Sequence, residues 1–566
     1  MSKEVKQIAL KVNKTSQKIL FLLILITSLA VFIRFYKLAS FPVNLSHDEV
    51  SQLYDAISIL KTGKDIHGQS LPFIFTSIND FKPPFYTYAT IPFIYIFGKG
   101  EIVIRLVGAI FGVLLIPAVY FFTLKLFSKK YLSLIAAFFT AITPFEIHFS
   151  RKGFEGVAGI VILLFGFSLL ISYLSSEKGQ KKFIIGSAII ALSMYIYFSY
   201  AIIVPILYAV FLVLLLKKKV MIPRLGMVAF IAIIIPLSMF IIKDKNSNNR
   251  TQAVAITQDS KLTNIIDSNL KINDKYYAIK KDILIVRYSL IRYVDQFNPT
   301  FLFINGLDMS NQDPFDIGPF YIFQFPLLII GFIYLFKKYK KEKREMLYFI
   351  LAWIFIGLLP SGLSFEKHSP HRILMVLTML NIIASLGGYI LLRKFFGRFQ
   401  QASLRTSFGI ISILIIIWSF AYFIFIYSVN YPIDKSEFIQ FPYKEVALTA
   451  KEYYNDYEQI VFDPKFGKDM PWIGGAAQYY LAYYGDFPVE NMQKEYKVTE
   501  GDKSKVTFGK YIIRDVYWPE DKKLNKTLII ASPWVISKET FGNAKLLKEI
   551  KSYQGNTIAF YVLSLE

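Results

Sequence analysis

The sequence predicts an α-helical polytopic membrane protein with about eleven spanning helices and a small C-terminal α/β domain. Three observations predict it. Apolar runs of about twenty residues, enough to cross roughly 30 Å of hydrocarbon, recur through the first 430 positions. Of the 566 residues 54% are apolar and 17% aromatic, more than the core of a soluble chain this size could hide. The basic residues, finally, are concentrated in the short loops between those runs.

The formal charge of +23 therefore reports topology rather than nucleic acid. The N-terminus and the loops near 125–130, 178–182, 217–224, 337–345 and 393–405 carry 25 basic side chains against four acidic ones, Glu4, Glu177, Glu342 and Glu345. The rest of the chain is nearly neutral. Short basic loops stay cytoplasmic, so the N-terminus is expected inside a multi-pass inner (cytoplasmic) membrane protein. The first apolar run follows five lysines like a signal peptide, but it is long and lacks a convincing small-x-small cleavage site, so it is read as a retained span. There is no cysteine, which excludes disulfides, thiolate ligands and cysteine nucleophiles.

In chain order, spans are expected near 19–38, 101–124, 131–149, 155–175, 183–198, 200–216, 225–242, 317–336, 346–363, 371–392 and 406–428. This assignment puts every basic loop inside. The apolar stretch Pro84–Phe97 is only about fourteen residues long and opens with paired prolines. It reads as an interfacial or re-entrant helix. Residues 1–430 thus form a transmembrane domain with two long external loops, 39–100 and 243–316. The second holds a mixed apolar and basic stretch, Asp282–Phe297, suited to lying on the membrane. Residues 431–566 form the soluble domain, with strands expected at 460–462, 511–513, 528–530 and 558–562.

Five features fall on the external side: His47-Asp48-Glu49, Lys82-Pro83-Pro84, the turn Ser150-Arg151-Lys152-Gly153-Phe154-Glu155, the tyrosine-rich turn around Tyr197, and Glu366–Arg372 with His371. Each has a plainer reading. An Asp-Glu pair at a helix start can be a cap, Lys82 can snorkel, and Tyr197 can belong to an interfacial aromatic belt. Only His368 and His371 lie close together among the five histidines, so a divalent metal is possible but not indicated. Together these groups suit reaction of a lipid-linked phosphate. A carboxylate can take the proton of an attacking hydroxyl, and cations can stabilise the leaving phosphate.

At these residues the chain resembles the GT-C glycosyltransferases. Within them it is most similar to the protein O-mannosyltransferase and aminoarabinose-transferase group, the dolichyl-phosphate-mannose-protein mannosyltransferase family. Asp-Glu in the first long loop, Lys-Pro-Pro, Gly98, Arg105, Pro144 to Glu155 and His371-Arg372 carry the resemblance, over residues 19–430. It implies a GT-C-like fold and transfer of a sugar, with inversion, from a polyprenyl-phosphate-linked donor to an extracytoplasmic acceptor, with no cofactor required. It also implies Asp48 as general base, Glu49 as a supporting group, Glu155 as a second acid and Lys82 as a contact to lipid phosphate. The aminoarabinose branch has an arginine where this chain has Ser51, leaving Arg151, Arg250 or Arg372 to supply that contact. Two other classes compete: a polymerase or ligase using diphosphate-linked glycans, and a lipid or sugar transporter. A transporter would place ionisable groups at mid-membrane, and the centres of these spans are almost free of them.

Overall fold

The computed structural model describes residues 3–77, 80–176, 179–243, 255–270, 276–307, 317–398, 401–499, 502–555 and 557–566. It is mostly helical with a C-terminal sheet, the fold class read from the sequence. Among the described residues seven helices are long and apolar enough to span a membrane: Thr15–Phe35, Ile102–Phe127, Gly156–Ser175, Tyr200–Lys217, Arg344–Gly362, Pro370–Phe395 and Ala402–Asp434.

The span expected at 131–149 is a bent pair, Lys130–Ile142 and Pro144–Arg151, turning through 56°. Pro144 is the cause. It has no N–H to continue the helix and forces the preceding residue out of helical geometry; Thr143 lies at φ −67°, ψ 138°. The break strands carbonyls at the end of the first helix. The buried Arg34 guanidinium satisfies two of them, donating to Thr140 O at 3.0 Å and Ala141 O at 3.1 Å.

The other three expected spans are interrupted or shorter helices. Gln180–Leu192 continues into a 3₁₀ turn, Ser193–Tyr195. Arg224–Lys243 contains Pro236. Gln324–Tyr334 runs into a π turn, Leu335–Tyr339. The doubtful stretch after Pro84 is the short helix Phe85–Phe97. The amphipathic helix Tyr277–Asp295 leaves Ile279, Ile283, Val286, Leu290, Ile291 and Val294 exposed. Its other face packs Leu284, Ile285 and Tyr288 on Ile256, Leu262 and Ile266.

The chain divides into two compact units. One comprises Met1–Tyr36, Gly108–Arg151 and Glu155–Ile424; the other comprises Lys37–Val107, Lys152–Phe154 and Phe425–Glu566. A boundary near 430 separates helices from tail along the chain, but the loop after the first span folds with the tail. Hydrogen bonds between residues some 400 positions apart join them. Asn44 Nδ2 donates to Ile439 O at 2.9 Å, Tyr54 Oη to Phe487 O at 2.8 Å and Tyr480 Oη to Leu45 O at 2.5 Å. Gln493 Nε2 reaches Thr62 Oγ1 at 2.8 Å and Ser58 Oγ at 3.0 Å.

The tail is built on a seven-stranded sheet in the order Lys545–Lys551, Ile558–Leu565, Thr527–Ala531, Gln459–Phe462, Tyr511–Ile513, Asp502–Phe508, Lys497–Thr499. Gln459–Phe462 runs parallel to both its neighbours, and the outer strands are antiparallel. The four strands expected from apolar runs lie side by side in the sheet, whereas the interior strand Asp502–Phe508, with its charged start, was not among them. The edges were not legible, because Lys545–Lys551 and Lys497–Thr499 carry outward lysines, as edge strands do to avoid pairing with other chains.

Candidate active site

The helix His47–Thr62 positions the acidic pair. Ser46 closes its N-terminus with a capping box: its Oγ accepts from Glu49 N at 3.3 Å, and its own N–H donates to Glu49 Oε2 at 2.8 Å. Glu49 is fully committed elsewhere too. Its Oε1 accepts from Arg105 Nε at 3.0 Å and from Gly153 N at 2.9 Å, and the residue is 1% exposed. Burial alone would raise its pKa. The Arg105 guanidinium and the backbone N–H groups outweigh that and hold the carboxyl below its usual value. Arg105 spends its other donors on the carbonyls of Leu38, Pro42 and Asn44, at 3.2, 2.8 and 2.6 Å. Gly153 must be glycine for this packing, since a Cβ would lie 2.8 Å from Glu49 Cγ. Glu49 therefore ties the helix start to its surroundings and is closed off from solvent.

Asp48, one residue earlier, points differently. Its side chain is 43% exposed, with Oδ1 2.7 Å from Lys82 Nζ and Oδ2 3.7 Å from His47 Nε2. Lys82 is not snorkelling; it is 4% exposed, and its ammonium also donates to Ser51 Oγ at 2.7 Å and to Asp48 O at 3.3 Å. The strand Asp80–Lys82, paired with Phe75–Ser77, brings the lysine under the helix start. Ser51 is thus a direct partner of Lys82. A long cation at that position would contend for the space the ammonium occupies.

The remaining expected site residues belong to the other unit, apart from Arg250, which lies outside the described residues. Arg151 Nη1 donates to Ile33 O at 2.7 Å and Arg34 O at 3.1 Å, capping the end of the first helix. That engagement accounts for a cation in this turn without any substrate. Glu155 is 8% exposed at the start of the helix Gly156–Ser176. Tyr197 is buried, edge-on to Tyr200 with ring centroids 5.3 Å apart. Glu366 accepts from Arg372 Nε at 2.9 Å and from Ser369 Oγ, with His371 Nε2 at 3.9 Å. Burial opposes its ionisation, but His371 and Arg372 prevail and take its pKa down to about 2. So the fold brings Asp48, Glu49 and Lys82 together within one unit and, within the other, groups Ser369, His371 and Arg372 around Glu366. Among the described residues no three His, Asp or Glu side chains converge as a metal site.

Two residues matter to the site beyond those expected. Arg105 holds Glu49; the sequence signals it by its place inside an apolar helix and as one of the residues that carry the resemblance, with no role attached. Asp55, on the same helix as Asp48, is 2% exposed. Burial, reinforced by Asp65, pushes its pKa up to about 8. The folded chain keeps this proton to about pH 8 whereas the unfolded chain releases it near the ordinary aspartate value of about 4, so stability falls as pH rises between the two. Asp55→Asn, which keeps an acceptor for Ile66 N, is expected to remove that slope and raise the melting temperature at pH 7. Thermal melts from pH 4.5 to 8.5 check it; parallel profiles for variant and wild type would contradict it.

The helical fold with a C-terminal sheet is of the GT-C class that the sequence resemblance implied. Residues 81–240 match the family model described as dolichyl-phosphate-mannose-protein mannosyltransferase. ArnT from Cupriavidus metallidurans in the apo state has the same fold, with TM-score 0.53 at 12% identity over 97% of this chain and 98% of that one. The same protein bound to undecaprenyl phosphate gives 0.50 at 12% identity with equal coverage. Archaeal oligosaccharyltransferase AglB from Archaeoglobus fulgidus, in complex with an inhibitory peptide and a dolichol-phosphate, gives 0.51 at 14% identity over 83% of this chain. This chain spans 64% of that protein's length. No match is found among curated protein sequences. The shared fold agrees with the fold class that the sequence resemblance implied, and the apolar helices make this a multi-pass membrane protein.

Proposed function

We propose that this protein transfers a sugar, with inversion, from a polyprenyl-phosphate carrier to a hydroxyl on the extracytoplasmic side of the cell membrane. The observation that carries the reading is the division of labour at one helix start. Glu49 is buried and fully hydrogen-bonded, while Asp48 is half-open and fixed through Oδ1 by a buried lysine. In the reaction the acceptor oxygen attacks the anomeric carbon opposite the phosphate. Asp48 takes the hydroxyl proton as the new C–O bond forms. The C–O bond to phosphate breaks, and the polyprenyl monophosphate leaves with the electron pair. Lys82 orients Asp48 through Oδ1, and its charge favours the departing phosphate. The basic short loops support the orientation. The undecaprenyl phosphate bound to ArnT and the dolichol-phosphate bound to AglB support a lipid-phosphate donor.

The test is sugar release from radiolabelled polyprenyl-phosphate monosaccharides by the purified protein in lipid nanodiscs, with diphosphate-linked donors alongside. Turnover of monophosphate donors is expected. Turnover of diphosphate donors alone would transfer the assignment to a glycan polymerase or ligase. Lys82→Ala is expected to raise the donor KM about ten-fold, the scale of one hydrogen bond to a charged group. A fall in kcat at unchanged donor KM would leave Lys82 only the task of positioning Asp48.

A further inference from the structure

The compact unit that holds Asp48 also contains a cleft of about 430 Å³, within the roughly 300–1,000 Å³ range of small-ligand pockets. Val498, Val506 and Ile513 supply aliphatic wall from the sheet. His67 and Tyr496 supply aromatic wall; their rings meet edge to face, with centroids 5.7 Å apart and planes at 72°. Gln478 and Asp515 add planar polar groups. Along another side runs the side-chain-poor strip Gly474-Gly475-Ala476-Ala477. A Cβ on Gly475 would come within 3.3 Å of His47 Cγ, so the strip lies against the imidazole next to Asp48.

The chemistry of these walls selects among ligands. Among the described residues the lining has no lysine or arginine, and nearby Lys465 is paired with Asp515 at 2.6 Å, so nothing there is arranged for a phosphate. An extended peptide would need a backbone ladder, and the strip's is occupied. Gly474 N–H donates to Tyr443 Oη at 3.0 Å. The Gln440 amide, oriented so that both its ends are satisfied, pairs with Gly475 N at 2.7 Å and Gly475 O at 2.9 Å. What remains is recognition by side chains: aromatic and aliphatic surface for the C–H faces of sugar rings, and an amide and a carboxylate for hydroxyls.

We infer that this cleft binds a neutral carbohydrate acceptor and presents its hydroxyl past His47 to Asp48. The inference rests on the glycosyltransferase reading for its role, and the test separates the two. Binding is measured first without donor, by saturation-transfer NMR on the full chain in nanodiscs with chitotriose, cellotriose and mannotriose. Contact with at least one of them is expected, weakened about five-fold or more by Tyr496→Ala and by Asp515→Ala, the loss of about one hydrogen bond or stacked ring in each case. Asp515 is 57% exposed on its side chain, so its variant folds even if the tyrosine variant does not. No contact with any trisaccharide, or contact equal in wild type and the Asp515 variant, overturns the inference. Contact that depends on these residues in a protein that turns over no lipid-phosphate sugar keeps the carbohydrate site and sinks the transferase reading. Transfer onto material that proteinase K degrades would overturn the acceptor assignment while keeping the reaction.

Discussion

Asp48→Asn is expected to lower sugar transfer by a factor of about 10² or more, the contribution of a positioned general base, equivalent to about 2.7 kcal/mol of transition-state stabilisation. The amide keeps the shape of the carboxylate and can still accept from Lys82, but it cannot take up a proton at neutral pH. A second effect must be separated from the first. Lys82 is 4% exposed and Asp48 is its carboxylate partner at 2.7 Å, so neutralising Asp48 also leaves a buried ammonium poorly compensated. The double variant Asp48→Asn/Lys82→Met relieves that charge. Its melting temperature is expected to recover toward wild type while transfer stays at or below the level of the single variant. Initial rates with a radiolabelled polyprenyl-phosphate sugar, read beside thermal melts, check both. Transfer at the wild-type rate by Asp48→Asn would remove Asp48 as the base.

Glu49→Ala is expected to be the most destabilising single change in the site. It strands the fully buried Arg105 guanidinium, and breaking a buried ion pair from one side costs about 3–5 kcal/mol. The N–H groups of Ser46 and Gly153 lose their acceptors as well, each a further cost of about 1–3 kcal/mol if water does not enter. Glu49→Gln retains hydrogen-bonding atoms and should fall between alanine and wild type. Because Glu49 and Arg105 act as a pair, Glu49→Ala/Arg105→Met is expected to be less unstable than the two single variants added together. Denaturant unfolding, with limited proteolysis of the 37–107 segment, is the measurement. A Glu49→Ala protein as stable as wild type but inactive would assign Glu49 to the chemistry instead.

These two predictions show how unequal a pair of adjacent acids becomes once folded. In the sequence, His47-Asp48-Glu49 reads equally well as a helix cap or as an acid–base pair. The structure gives the two residues different surroundings. Glu49 is three residues after Ser46, completes the capping box and faces Arg105; Asp48 is left half-open. A similar division falls on the cations: Lys82 faces Asp48, whereas Arg151 caps a helix end and Arg372 serves Glu366. No spacing rule could have assigned those partners, because each lies on another element.

The sequence by itself determined what depends on local composition. Membrane crossing follows from apolar runs of sufficient length, the bend before Pro144 from a missing N–H, and the central strands of the tail from short β-branched runs between turns. These are properties of neighbouring residues and their solvent. Only the tertiary structure decided that the first loop folds with a tail some 400 residues away, that Arg105 pairs with Glu49, and that His67 and Tyr496 wall one cleft. Such pairings are set by how distant elements bury their polar groups together, and buried charges choose partners in space rather than along the chain.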